Sequence, residues 1–372
     1  MGLLRLFFAL GVVIVHSYSV FGYRVVNSTV AVNSFFIISG FYMALILHEK
    51  YIGKKSSYRL FLGNRFLRIF PLYWVILLLL FSFSFTKFAI LPTQENALKI
   101  FLDFAGSSSD FSGNAIMTLL RNTTLIFTTD YFYQNFKDPG HLLLLSAWTL
   151  QIEVLFYLIA PFIAKLRVFF LILLAVPFGL ITFSNILPIF HSDLSITYIF
   201  IGEFVFFILG MISYELYKLV KKVRIFKDYS LIIFVLILTV IFIYGYFSAV
   251  DWLPLFKNTH LFYYLFLSLS IPFVFNFSKS KPFDTTFGDL SYPVYLSHIL
   301  VFKVITNSHL FQDNHSFIAL LTLASTLIFS FILVKTIEKP VDILRNKRFR
   351  SGDAYGKRRK GDIIRSNEGF NK

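Results

Sequence analysis

Apolar residues run along this chain in stretches long enough to cross a hydrocarbon core, about 20 residues each. They fall at roughly 3–22, 30–48, 69–91, 142–164, 168–184, 196–217, 230–248, 260–277, 287–305 and 316–336. Pro177 interrupts the fifth, and Asp289, Pro293 and His298 dilute the ninth. The pattern predicts an all-α fold, a polytopic integral membrane bundle of about ten transmembrane helices. Residues 1–340 form the transmembrane domain, and 341–372 a basic tail expected to be disordered. No internal repeat of fixed period is evident, which weighs against an inverted-repeat transporter.

Polar residues between the stretches set the orientation, because cytoplasmic loops retain Lys and Arg. Every second connection is basic: Lys50 to Arg68, Lys165 to Arg167, Lys218 to Lys227, Lys279 to Lys281, and Lys335 onward. The intervening connections, such as Leu91 to His141 and Ser184 to Ser195, are sparse in Lys and Arg. Both termini are therefore expected in the cytoplasm. The long outer connection holds Gly106-Ser107-Ser108-Ser109 and an apolar stretch from Ala115 to Phe127 broken by Arg121. That stretch is too short to span and reads either as a helix dipping into the outer surface or as a plain surface loop.

Composition agrees with lipid as the main solvent: 56% of the 372 residues are hydrophobic and only 15% charged. The net charge of +15 follows the loop bias and the tail, with Lys357-Arg358-Arg359-Lys360, so anionic lipid rather than nucleic acid is the expected partner. Cysteine is absent, which excludes disulfides, thiolate metal sites and a cysteine nucleophile. The N-terminus reads as a retained first span rather than a cleaved signal, and Met1-Gly2 lacks the Ser or Thr expected at position 6 for myristoylation.

Ionisable groups at membrane depth are expensive and mark candidate chemistry. Arg5 and His16 share the first stretch. Eleven residues bring them within about 20° of the same helix face, about 16 Å apart along the axis, so one ligand could touch both. Neutral imidazole suits a general base near pH 7. Arg65 and Arg68, at i and i+3 on the cytoplasmic boundary, fit either phosphate recognition or positive-inside anchoring, with Tyr73 and Trp74 as interfacial aromatics. Two acids, Glu153 and Glu203, enter from the outer side; Glu153, near Trp148 and Gln151, is the better candidate. Ser39-Gly40 suits close approach of a ligand or of another helix. In the ninth stretch His298 follows Tyr295 by three residues, on the same face. His141 and His191 read as solvated. No phosphate-binding loop, G-x-S-x-G elbow, H-E-x-x-H or H-x4-D pattern occurs.

Six pieces, in order, resemble the acyltransferase type 3 family of polytopic membrane proteins. They are Arg5-x10-His16, Phe35 to Phe41, Arg65-x-x-Arg68-Ile69-x-Pro71-x-Tyr73, Trp148-Thr149-Leu150-x-x-Glu153, Ser291 to His298, and Glu338-Lys339-Pro340. The Asp and Gly that often flank the first arginine are missing, and Gln151-Ile152-Glu153-Val154 stands where S-V-E-E is commoner. The resemblance implies acyl transfer, most often of acetyl from cytoplasmic acetyl-CoA, to a sugar hydroxyl of a cell-envelope or exported polysaccharide. It places the enzyme in the bacterial inner membrane and calls for no metal. His16, Glu153 and Arg5 are the implied catalytic groups, and Arg65, Arg68, Ser39 and Tyr73 the implied acetyl-CoA groups. Competing readings are an exporter or flippase of lipid-linked saccharide, a non-catalytic membrane sensor, and transfer of succinyl or a longer acyl chain.

Overall fold

The computed structural model describes residues 1–52, 57–90, 120, 122–125, 144, 146–182, 202–223, 229–248, 260–308 and 314–348. Gly106 to Ser109, His141, His191 and the tail beyond Arg348 lie outside these residues, as does most of 115–127. A helix stands on each of the ten expected stretches: α1 (Gly2–His16), α2 (Ser28–Ile46), α3 (Ser57–Ile90), α4 (Ala147–Ile163), α5 (Val168–Thr182), α6 (Phe204–Val220), α7 (Ser230–Ser248), α8 (His260–Ser278), α9 (Pro282–Thr306) and α10 (His315–Leu333). Among the described residues the fold has no strand beyond a single bridge, Val20 to Tyr23.

Among the described residues five helices are long and apolar enough to cross a membrane: Ser28–Tyr51, Tyr58–Phe83, Ser230–Phe247, His260–Ser278 and His315–Arg348. Shorter apolar helices are α1, α4 and α5. Large apolar side chains such as Phe169 on α5, Phe242 on α7 and Ile328 on α10 face outward. An outward apolar shell on helices that satisfy their own backbone groups is what a bilayer requires.

Three boundaries differ from the sequence pattern, each for a local reason. Helix α1 stops at His16 rather than near residue 22. The Ser17 hydroxyl and N–H both bond back to the Val13 carbonyl, and Tyr18, Phe21 and Gly22 then take positive φ. His16 is therefore the last residue of its helix, not a mid-span one. Helix α3 begins at Ser57, well before the apolar stretch at 69, so Arg65 and Arg68 lie within the helix, as their i, i+3 spacing suggests. After α10 a π-helical turn, Val334–Glu338, leads into helix that runs to Arg348, across the domain boundary expected at residue 340.

Helices α2 and α6 form the centre. Where they cross, a Cβ on Gly40 would overlap the Phe207 carbonyl and one on Gly210 would overlap the Ile37 carbonyl, so the two backbones touch. Stacked rings extend the contact, with Phe207 between Phe36 at 4.7 Å and Phe156 of α4 at 4.3 Å. Gly40 thus serves helix packing, while its neighbour Ser39, about 100° round the helix, faces a cavity.

Candidate active site

That cavity, of about 240 Å³, opens among α1, α2, α3, α4, α9 and the helix after α10. Helical spacing selects its wall. From α2 come Ser39 and Tyr42 with Phe35, from α3 Arg65 and Arg68, and from α4 Thr149, Glu153 and Tyr157, each set three or four residues apart. Among the described residues four arginines line it, Arg5, Arg65, Arg68 and Arg345, against a single acid, Glu153. Among the described residues no carboxylate lies within ion-pair distance of Arg5 or Arg65. A half-enclosed space with surplus guanidinium charge suits a polyanion such as a nucleotide diphosphate, because Arg matches phosphate oxygens in pairs.

Glu153, Arg65, Arg68 and Arg345 are each held in place. Glu153 Oε1 accepts hydrogen bonds from the Ser39 hydroxyl at 2.8 Å and from the Tyr157 hydroxyl at 2.5 Å. The Arg65 guanidinium lies over the Phe61 and Tyr157 rings at 5.4 and 5.7 Å, leaving its Nε buried without a hydrogen bond. Arg68 pairs with Glu338 at 3.6 Å and lies over the Tyr292 ring at 5.9 Å, while Tyr292 donates to the Ile69 carbonyl at 2.9 Å. Arg345 is steadied by Asp342 at 3.0 Å. The Glu338-Lys339-Pro340 element therefore meets the Arg65/Arg68 element through an ion pair, and the helix that carries it delivers Arg345 one helical face further on.

His16 does not line the cavity. It stands at the exposed end of α1, with its ring centroid 5.4 Å from that of His298 on α9. Phe35 and Tyr295 separate the two places. Their rings lie 5.9 Å apart, both reach the cavity, and Tyr295 is also 6.1 Å from the His298 ring. The Tyr295 hydroxyl is shared with Thr149 Oγ1 at 2.8 Å, which holds this wall closed against α4. The same-face relation of Arg5 and His16 thus places one in the cavity and the other beyond its far wall.

Of the remaining sequence candidates, Tyr73 is fully buried outside the cavity, and its hydroxyl donates to the Asn122 carbonyl. Trp74 Nε1 donates to the Thr123 carbonyl at 2.9 Å. The connection between α3 and α4 therefore packs, through Asn122 and Thr123, against α3 only a turn and a half beyond Arg68. Glu203 precedes α6, with Oε2 buried and without a hydrogen bond, away from the cavity. Two groups went unassigned by sequence. Arg345 is seven residues after Glu338, the spacing of one helix face, but was counted with the tail charge. His298 carried its signal in the i, i+3 relation to Tyr295. Among the described residues no three His, Asp or Glu side chains gather as a metal ligand set.

A family model described as an acyltransferase domain matches residues 1–335. No curated protein matches the chain, and no solved structure does.

Proposed function

We propose that this chain, which belongs to the acyltransferase type 3 family, moves an acetyl group from cytoplasmic acetyl-CoA to a sugar hydroxyl of an envelope or exported polysaccharide. The observation that carries the reading is the arginine-walled cavity, reached by Arg5 at one end of the helix that ends in His16. Family membership and the apolar helices make the protein an integral membrane acyltransferase. The donor, the acceptor and the bacterial inner membrane are the parts proposed.

In this mechanism the anionic nucleotide of acetyl-CoA enters from the cytoplasm and rests on Arg65 and Arg68, with Arg5 and Arg345 completing the charge. The thioester arm extends along α1 toward His16, past Phe35 and Tyr295. That passage requires the Tyr295 and Phe35 side chains to turn aside when the donor binds. The acceptor hydroxyl approaches His16 from the outer side. His16 either removes the hydroxyl proton as the oxygen attacks the thioester carbonyl, or first takes the acetyl group on a ring nitrogen. In both courses the carbon–sulfur bond breaks, and the thiolate ends protonated by the hydrogen that left the acceptor. Glu153, fixed by Ser39 and Tyr157 between the arginines, balances their charge when no anion is bound.

The test uses purified protein in sealed vesicles of known orientation with labelled acetyl-CoA and an envelope-glycan acceptor. Acetyl-CoA is expected to work only from the face that bears the C-terminal tail, with acetylated glycan recovered on the other face. His16→Ala is expected to abolish transfer while inserting normally, since loss of one polar group inside a bundle costs only about 1 kcal/mol. Full transfer by that variant removes His16 from the chemistry. Product only on the acetyl-CoA side defeats the across-membrane route, and glycan movement without acetyl-CoA makes the protein an exporter.

A further inference from the structure

The wall between the cavity and the outer end of α1 contains a group the mechanism above does not use. His298 is almost wholly buried on α9, and its Nδ1 lies 2.7 Å from the Tyr295 carbonyl oxygen. A carbonyl can only accept, so Nδ1 carries the hydrogen. In the neutral ring Nε2 then has a bare lone pair. Among the described residues that atom has no hydrogen-bond partner, although burying an unsatisfied polar atom is destabilising. Packing alone gives no reason for histidine here, because leucine fills similar space without an orphaned acceptor. The one ring with N–H groups beside it is His16, with centroids 5.4 Å apart and planes inclined by 41°. His16 is the exposed partner of the two and can adjust its ring, whereas His298 is fixed by its backbone contact.

We propose that His298 is the positioning residue of His16: its Nε2 accepts the hydrogen of one His16 ring nitrogen, so that the lone pair of the other nitrogen is presented to the acceptor. The inference rests on the reading of His16 as the catalytic group. A neutral histidine cannot choose between its two ring nitrogens without such a partner, and the choice decides which one is bare. Here the fixed tautomer of His298 makes it. The acceptor hydroxyl then passes its proton to the bare nitrogen of His16 while its oxygen forms the bond to the thioester carbonyl carbon. The carbon–sulfur bond breaks, and the departing thiolate takes that proton back from the imidazolium. If His16 carries the acetyl group instead, the same bare nitrogen attacks the thioester carbonyl carbon and the carbon–sulfur bond breaks; the acceptor oxygen then attacks the acetyl carbon, the carbon–nitrogen bond breaks, the hydroxyl proton ends on the thiolate, and His298 holds the ring in the same sense throughout. No further reactant is required.

Gln and Leu at position 298 separate hydrogen-bond acceptance from filling of space. His298→Leu removes the orphaned acceptor and is expected to melt no lower than the parent protein, yet to lose at least about 30-fold in kcat, part of what positioned acid–base catalysis contributes. KM for acetyl-CoA is expected to stay unchanged, because His298 lies outside the cavity. His298→Gln, whose amide oxygen reaches the place of Nε2, is expected to restore kcat to within about fivefold of the parent, as an acceptor that positions without taking the proton should. Parent protein and His16→Ala are run beside them. If the parent transfers acetyl, His16→Ala does not, and His298→Leu turns over like the parent, the positioning role alone is overturned. It is overturned equally if Gln is as damaging as Leu, or if Leu acts through KM. A parent that transfers no acetyl, or a fully active His16→Ala, sinks the functional reading itself.

Discussion

Arg65→Gln is the cleanest probe of the donor site, because of what surrounds each arginine. Arg68 is tied to Glu338, whose side chain is only 7% exposed. Removing Arg68 would leave that acid buried and unpaired, a loss typically of about 3–5 kcal/mol in fold stability that would blur any effect on binding. Arg65 has no such carboxylate among the described residues, and its guanidinium rests on Phe61 and Tyr157 with Nε still unsatisfied. Losing the two ring contacts costs roughly 0.5–1 kcal/mol each at most, so the protein should remain folded. Losing a charge-assisted contact to phosphate costs about 1.5–3 kcal/mol, which corresponds to about 10- to 150-fold in donor affinity. The assay is calorimetric binding of CoA together with KM for acetyl-CoA, measured in detergent. S-acetylpantetheine, which carries the thioester arm without the nucleotide, serves as the second donor. Arg65→Gln is expected to weaken CoA binding and raise KM within that range, and to leave the phosphate-free donor unaffected. An unchanged CoA affinity would make Arg65 a topology anchor and refute the assignment of the cavity to the nucleotide. An equal loss with both donors would refute phosphate contact.

Two further outcomes are expected. Arg345→Gln should raise KM for acetyl-CoA by roughly 2- to 10-fold, less than Arg65→Gln, because its side chain is partly exposed and already paired with Asp342; an unaltered KM would show that the helix after α10 takes no part in donor binding. Gly40→Ala should lower the detergent melting temperature clearly, since its new methyl group would meet backbone rather than a yielding side chain and overpacking typically costs about 1–3 kcal/mol; parent-like melting would mean that α2 and α6 do not cross so closely.

The helical course of the chain was legible in sequence because lipid makes one rule dominate: a long apolar run must satisfy its own backbone. Among the described residues a helix stands on each stretch that rule picks out, yet the rule says little about where each ends. The end of α1 is decided by Ser17 folding back on Val13, and by the positive φ of Tyr18, Phe21 and Gly22, features with no hydropathy signal. The extension of α10 past residue 340 fails the same way. Charge there reads as a solvated tail, whereas Glu338, Asp342 and Arg345 at four- and three-residue steps make one face that turns inward to Arg68 and the cavity.

Same-face arithmetic within one helix succeeded for Arg65 with Arg68 and for Tyr295 with His298, because a helix is rigid over three residues. Across α1 it puts Arg5 and His16 on one side, but it could not foresee what other helices would place between them. Tyr295 of α9 and Phe35 of α2 do so, and their meeting depends on interhelical packing that no single run of sequence encodes. The same packing brings His298 to His16 over nearly the whole length of the chain. The arginine pocket thus lies on one side of Tyr295 and the His16/His298 pair on the other. Thr149, which shares a hydrogen bond with the Tyr295 hydroxyl, belongs to the same helix as Glu153. Thr149, which braces that wall, and Glu153, the acid beside the cavity's arginines, therefore sit on a common element, and a shift of α4 on filling the cavity with an anion would move both together.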